Sequence, residues 1–162
     1  MVSHKIYTPK NGFTLIEMLV VLSIFILMAG AVLSALMDSF QEYSFQDEQD
    51  TLVSTLQKAR SDAMNNVCIG VCSGGQNHGV HFESNRYIIF QGNIYNPIDV
   101  TNEIIPYSPS VSLHGLSDVV FSRFSGNAST TPEDKWDIVL SDTLGHTSTT
   151  TVNTEGQITW TK

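Results

Sequence analysis

The chain opens polar and positive, turns apolar, and then settles into an amphipathic pattern. From Phe13 to Met37 there is one charge, Glu17, and Met18 to Met37 is a run of twenty residues with none. Twenty residues of helix span roughly 30 Å, the thickness of a hydrocarbon core. After Asp38 the apolar positions thin out to Phe45, Leu52, Leu56, Ala59 and Ala63, which recur at helical spacing. Asp47, Glu48, Asp50, Lys58 and Asp62 take other faces. No proline lies between Lys10 and Asn96, so nothing forces a break before the expected helix end near Asn65-Asn66. Gly30 is the one soft point.

Beyond the helix the pattern becomes strand-like. Val67 to Val71 is a short β-branched run, and Gly74 to Asn77 reads as a turn. Gly79–Glu83 and Arg86–Phe90, joined at Ser84-Asn85, read as a hairpin. Val119–Phe124, Trp136–Leu140, Ser148–Val152 and Gln157–Thr161 complete the strands. Asn93–Pro109, with Pro97, Pro106 and Pro109, reads as a long loop, and Gly126–Asp134 as another. The expected fold class is α+β, with a long N-terminal helix packed on a C-terminal antiparallel sheet domain. The expected divisions are residues 1–12, a polar positive segment; 13–37, a membrane-spanning half-helix; 38–66, its amphipathic half; and 67–162, a β-rich head.

Charge orients this arrangement. Lys5 and Lys10 precede the apolar run, while Asp38, Glu42, Asp47, Glu48 and Asp50 follow it. The positive-inside rule keeps the N-terminus cytoplasmic and sends the head outward. Without residues 1–12 the chain keeps 6 basic and 16 acidic residues, a net charge of −10. Such a body repels phosphate backbones, which makes nucleic acid a poor default partner.

An ordinary secretory signal would also start with a short positive segment, and Ala29-Gly30-Ala31 resembles a cleavage site. However, the apolar run continues through Val32, Leu33, Leu36 and Met37. A plain signal anchor accounts for the span but leaves Glu17 unexplained. A carboxylate within a membrane segment costs about 2.5–3.5 kcal/mol on insertion scales, so it implies a partner.

Gly12-Phe13-Thr14-Leu15-Ile16-Glu17, followed by Met18-Leu19-Val20-Val21-Leu22, resembles the class III signal of type IV pilins and type II secretion pseudopilins. Ala59-Arg60-Ser61-Asp62-Ala63 and Asn153-Thr154-Glu155-Gly156-Gln157-Ile158 are similar to the helix end and last hairpin of the GspH/FimT-type branch. The resemblance implies that prepilin peptidase cuts between Gly12 and Phe13 and that the new Phe13 amine is N-methylated. It implies that Glu17 then pairs with the Phe13 amine of a neighbouring subunit, which relieves two buried charges and fixes the axial stagger. The implied partners are the peptidase, other pilin or pseudopilin subunits, an inner-membrane assembly platform and membrane lipid. The implied location is a single pass through the inner membrane with an extracytoplasmic head, and afterwards a pilus or pseudopilus. The function implied is that of a structural, minor subunit; the alternative is a minor pilin that captures DNA. Some FimT-like proteins carry a Gly-Arg-x-Arg motif in the last hairpin. Here that stretch is Gly156-Gln157-Ile158-Thr159, with both arginines missing.

Other chemistry is sparse. His78 and His81 lie three apart and face opposite sides of a strand, so surface histidines are expected rather than a metal site. Cys68 and Cys72 would be about 13 Å apart in one strand, too far to bond. A turn at Gly70, or a helix end reaching this far, would bring them into range; two free thiols is the other reading. No nucleophile elbow, phosphate loop or dinucleotide fingerprint occurs, and no catalytic site, cofactor or metal is expected.

Overall fold

The computed structural model describes residues 12–70, 74–133 and 136–161, with the backbone alone for 34–39. One helix, α1 (Leu15–Met64), is followed by nine strands. The chain divides into two compact units, Met1–Glu42 and Tyr43–Lys162.

In the first unit α1 runs without interruption through Gly30. Every residue described from Gly12 to Leu33 is exposed. Leu15–Leu33 is a 19-residue stretch long and apolar enough to cross a membrane. A helix that is apolar all round, with no protein against it, needs another apolar surrounding.

In the second unit the helix has one buried face. Leu52, Leu56, Ala59 and Ala63 are fully buried, and Phe45 nearly so. Small Ala59 and Ala63 allow close approach where the helix ends. That end is a Schellman cap: the Asn66 N–H donates to the Ala63 carbonyl at 3.1 Å and the Val67 N–H to the Asp62 carbonyl at 2.9 Å. Asn66 takes the left-handed conformation this cap requires, with φ of 55°. The expected stop at Asn65-Asn66 is where the helix closes.

The strands form two antiparallel sheets rather than one. Sheet one has the order β3 (Glu103–Pro106), β2 (Arg86–Gln91), β1 (His78–Glu83), β5 (Asp118–Phe121), β6 (Ala128–Thr131). Sheet two has the order β4 (Val111–His114), β7 (Asp137–Asp142), β8 (Thr147–Val152), β9 (Ile158–Thr161). One hydrophobic cluster joins the helix to Val80, Phe82, Tyr87, Ile89, Val119 and Phe121 of sheet one and to Ile138, Leu140 and Val152 of sheet two. The β1–β2 hairpin turns at Ser84-Asn85, as expected, in the register Glu83↔Arg86.

Several expectations fail. Val67 to Gly70 forms no strand; Val71 lies outside the described residues. Instead the Ile69 N–H donates to Gln91 Oε1 at 2.7 Å, so a side chain takes the place of a strand partner. The segment 93–109 contains β3, and 126–134 contains β6.

Strand β2 is buried on both faces. Tyr87 and Ile89 join the main core, while Ile88 and Phe90, of opposite parity, are each only 2% exposed. The connection from β2 to β3 covers part of this second face, with Tyr95 5.8 Å from Phe90 between ring centroids.

Candidate functional site

The residues singled out at the N-terminus fall at the start of α1. Gly12 and Phe13 precede the helix and are exposed, Phe13 at 77%. A Cβ on Gly12 would meet none of the described atoms within 4 Å. Thr14 caps the helix: its Oγ1 accepts the Glu17 N–H at 3.3 Å. Thr14-Leu15-Ile16-Glu17 therefore has the spacing of a capping box, in which the fourth residue is Glu or Gln. Glu17 stands in the first turn, where the positive end of the helix dipole favours an anion. The Thr14 cap was missed in the sequence, although the Thr-x-x-Glu spacing signals it.

Cys68 lies just past the helix cap, is exposed, and is disulfide-bonded. Cys72 lies outside the described residues.

The two histidines of β1 do face opposite ways, but the expectation that both are surface residues is wrong for His78. It is 1% exposed, on the core face, and neither ring nitrogen has a partner in hydrogen-bonding geometry. Burial pushes its pKa down from 6.5, against weaker upward pulls from Asp62 and the Gln76 carbonyl. His81 is half-buried on the other face. Its Nδ1 lies 2.8 Å from Asp118 Oδ1, and its ring stacks on Tyr95 at 4.0 Å between centroids. Nothing local in the sequence indicated this pairing, because 37 residues separate His81 from Asp118.

Arg60, in the segment likened to a branch-specific helix end, reaches the segment likened to that branch's last hairpin. It donates through Nη2 to the Glu155 carbonyl at 3.2 Å and through Nε to the Gly126 carbonyl at 3.4 Å. The Phe124 N–H donates to the Ala63 carbonyl, and the Ala128 N–H to the Thr154 carbonyl. The two sheets are thus joined at the helix end through main-chain groups. Glu48 plays a similar part further up the helix. Its Oε1 accepts the Ser108 N–H at 2.7 Å, and burial pushes its carboxyl above the ordinary 4.5.

Among the described residues no group of three His, Cys, Asp or Glu side chains is placed to hold a metal ion. The described surface includes an exposed apolar helix segment with one acid, Glu17, in its first turn.

Comparison with curated proteins found no match, and comparison with solved structures found none. Residues 8–33, which take in the apolar stretch Leu15–Leu33, match the family described as the prokaryotic N-terminal methylation motif, the leader of type IV pilin-like proteins.

Proposed function

We propose that the chain is a structural, minor subunit of a type II secretion pseudopilus or a type IV pilus, of the GspH/FimT-type branch. In this reading prepilin peptidase cuts between Gly12 and Phe13 and the Phe13 amine is methylated. The helix then holds the subunit in the inner membrane, head outward, until an assembly platform draws it into a filament. Glu17 meets the Phe13 amine of the next subunit, and the remaining apolar surface packs against neighbouring helices. Residues 1–12, 13–37, 38–66 and 67–162 are then leader, assembly segment, spine and head.

One observation carries the proposal: the methylation-motif match over residues 8–33 coincides with an all-round apolar helix whose first turn holds a lone acid. DNA capture lacks the cationic surface it would need on the last hairpin, where Gln157 and Thr159 are exposed and uncharged.

Mass spectrometry of the product made in cells containing prepilin peptidase tests the proposal. A mature N-terminus at Phe13 bearing one methyl group is expected, as is an uncut Gly12→Ala chain. A mature chain starting anywhere else would overturn the reading.

A further inference from the structure

A pocket of about 290 Å³ lies between the β2–β3 connection and the outer face of sheet one. Phe90 and Val120 form its apolar base. Phe90 stands opposite Gly79 on β1, where a Cβ would come within 2.4 Å of the ring. Glycine is therefore needed there for the ring to lie against the strand. One wall is Tyr95, stacked on His81 with their planes 14° apart; another includes Asp118 and Thr131. The Tyr95 hydroxyl donates to Glu83 at 3.3 Å, and Glu83 is also held by Arg86 at 2.5 Å, which fixes the stacked pair from outside.

Among the described residues the lining holds one carboxylate, Asp118, and no lysine or arginine. Asp118 receives the Ser117 hydroxyl at 2.9 Å on one oxygen and faces His81 with the other. A carboxylate offers about four acceptor sites, so both oxygens keep capacity. Asn93 accepts from Asn77 through its own Oδ1 at 2.6 Å. An anion entering this space would meet the Asp118 charge, and a neutral apolar molecule would strip water from it with nothing in return. A positive group that only donates hydrogen bonds suits both the carboxylate and the aromatic faces.

We infer that this pocket binds a small organic cation, an alkylammonium or alkylguanidinium, with its charged end on Asp118 and Thr131. The alkyl stem lies against Phe90, Val120 and Ile94, and Tyr95 closes one side. The volume is near the low end for ligand pockets, which suits one such group and not a larger ligand. The inference lies within the head and is independent of the filament reading.

The test uses the full chain in detergent micelles, with butylammonium and butylguanidinium as probes and butyrate and butanol as controls of the same stem. Ligand-detected NMR should give saturable binding of the two cations and none of the controls. Asp118→Asn should weaken the cations about tenfold or more, the usual effect of losing a charged hydrogen-bond partner. Because that change also disturbs His81 and Ser117, a second variant is needed. Ile94 is 81% exposed, so Ile94→Lys should fold normally by circular dichroism while placing a competing ammonium at the mouth. It should abolish binding. Failure of the cations to saturate, equal binding of butanol or butyrate, or wild-type affinity in either variant would overturn the inference.

Discussion

A Cβ on Gly156 would lie 1.9 Å from the carbonyl oxygen of Gly126. That oxygen also receives Arg60 Nε, so the two glycines and the arginine form one joint between the helix end and both sheets. Gly156 has φ of +71°, which other residues adopt at a cost of about 1–2 kcal/mol. Overpacking adds about 1–3 kcal/mol. Gly156→Ala should therefore destabilise the head by about 2–5 kcal/mol, measured by urea unfolding of the full chain in detergent. Arg60→Ala should cost about 1–3 kcal/mol, because it takes a donor from the carbonyl of buried Gly126. A neutral Gly156→Ala would mean that the joint is looser than its geometry.

The pH response of the head should bear the mark of His78. Its folded pKa lies below 6.5, so between those two values the unfolded chain binds more protons than the folded one. Stability then falls as the pH drops below about 6.5 and levels off under the folded pKa. Glu48 has the opposite sign: its raised pKa favours the fold in acid and that benefit is lost as the pH rises above the ordinary 4.5. The difference between wild type and His78→Leu isolates the histidine. Urea midpoints from pH 7 down to 5 should fall more steeply in wild type than in the variant. Parallel curves would exclude His78 as the source.

How much of this fold the sequence discloses depends on where each element lies. The helix, its end at the two asparagines and the β1–β2 hairpin were legible because each has a local cause: spacing of apolar residues, an Asn able to take positive φ, a two-residue turn. Strands β3, β4 and β6 were not recognised as strands, and each is at a sheet edge. Edge strands bury little, so the alternation that marks a strand is lost; Glu103–Pro106 has no fully buried residue. Pro106 argued for a loop, yet proline is tolerated at an edge. The His81–Asp118 pair was invisible for another reason: it is a rung between β1 and β5, and only the pairing of the sheet makes it.

Cys68 is bonded, and the sequence contains one other cysteine, Cys72. We expect these two to be partners, which closes a very short loop just past the helix cap. Chain-entropy reasoning gives about 2 kcal/mol for so short a loop. Peptide mapping without reductant should recover both cysteines in one linked fragment. Reduction and alkylation should lower the urea midpoint modestly, without unfolding the head, because the core residues nearest in sequence, Ala59 and Ala63, do not depend on the loop. Recovery of free thiols from protein purified without reductant would remove the proposed link.

A place in its own helix and a proposed pairing between subunits both bear on Glu17, and a single alanine substitution cannot separate them. Glu17 stands at the Glu/Gln position of a capping-box spacing, where glutamine is as acceptable as glutamate. As the proposed partner of a neighbour's Phe13 amine it must carry charge, and glutamine does not. Glu17→Gln therefore divides the two. If the charge pair sets the stagger between subunits, Glu17→Gln and Glu17→Ala should both insert and be cut, and both should enter filaments poorly. If its side chain's place in the first turn is what matters, Glu17→Gln should assemble like wild type while Glu17→Ala does not; the Thr14 cap, which holds the main-chain N–H of residue 17, is kept in both. The measurement is the fraction of processed subunit in the sheared or sedimented filament pool. Full assembly of Glu17→Gln would reject the charge pair and leave the acid a part of its own helix.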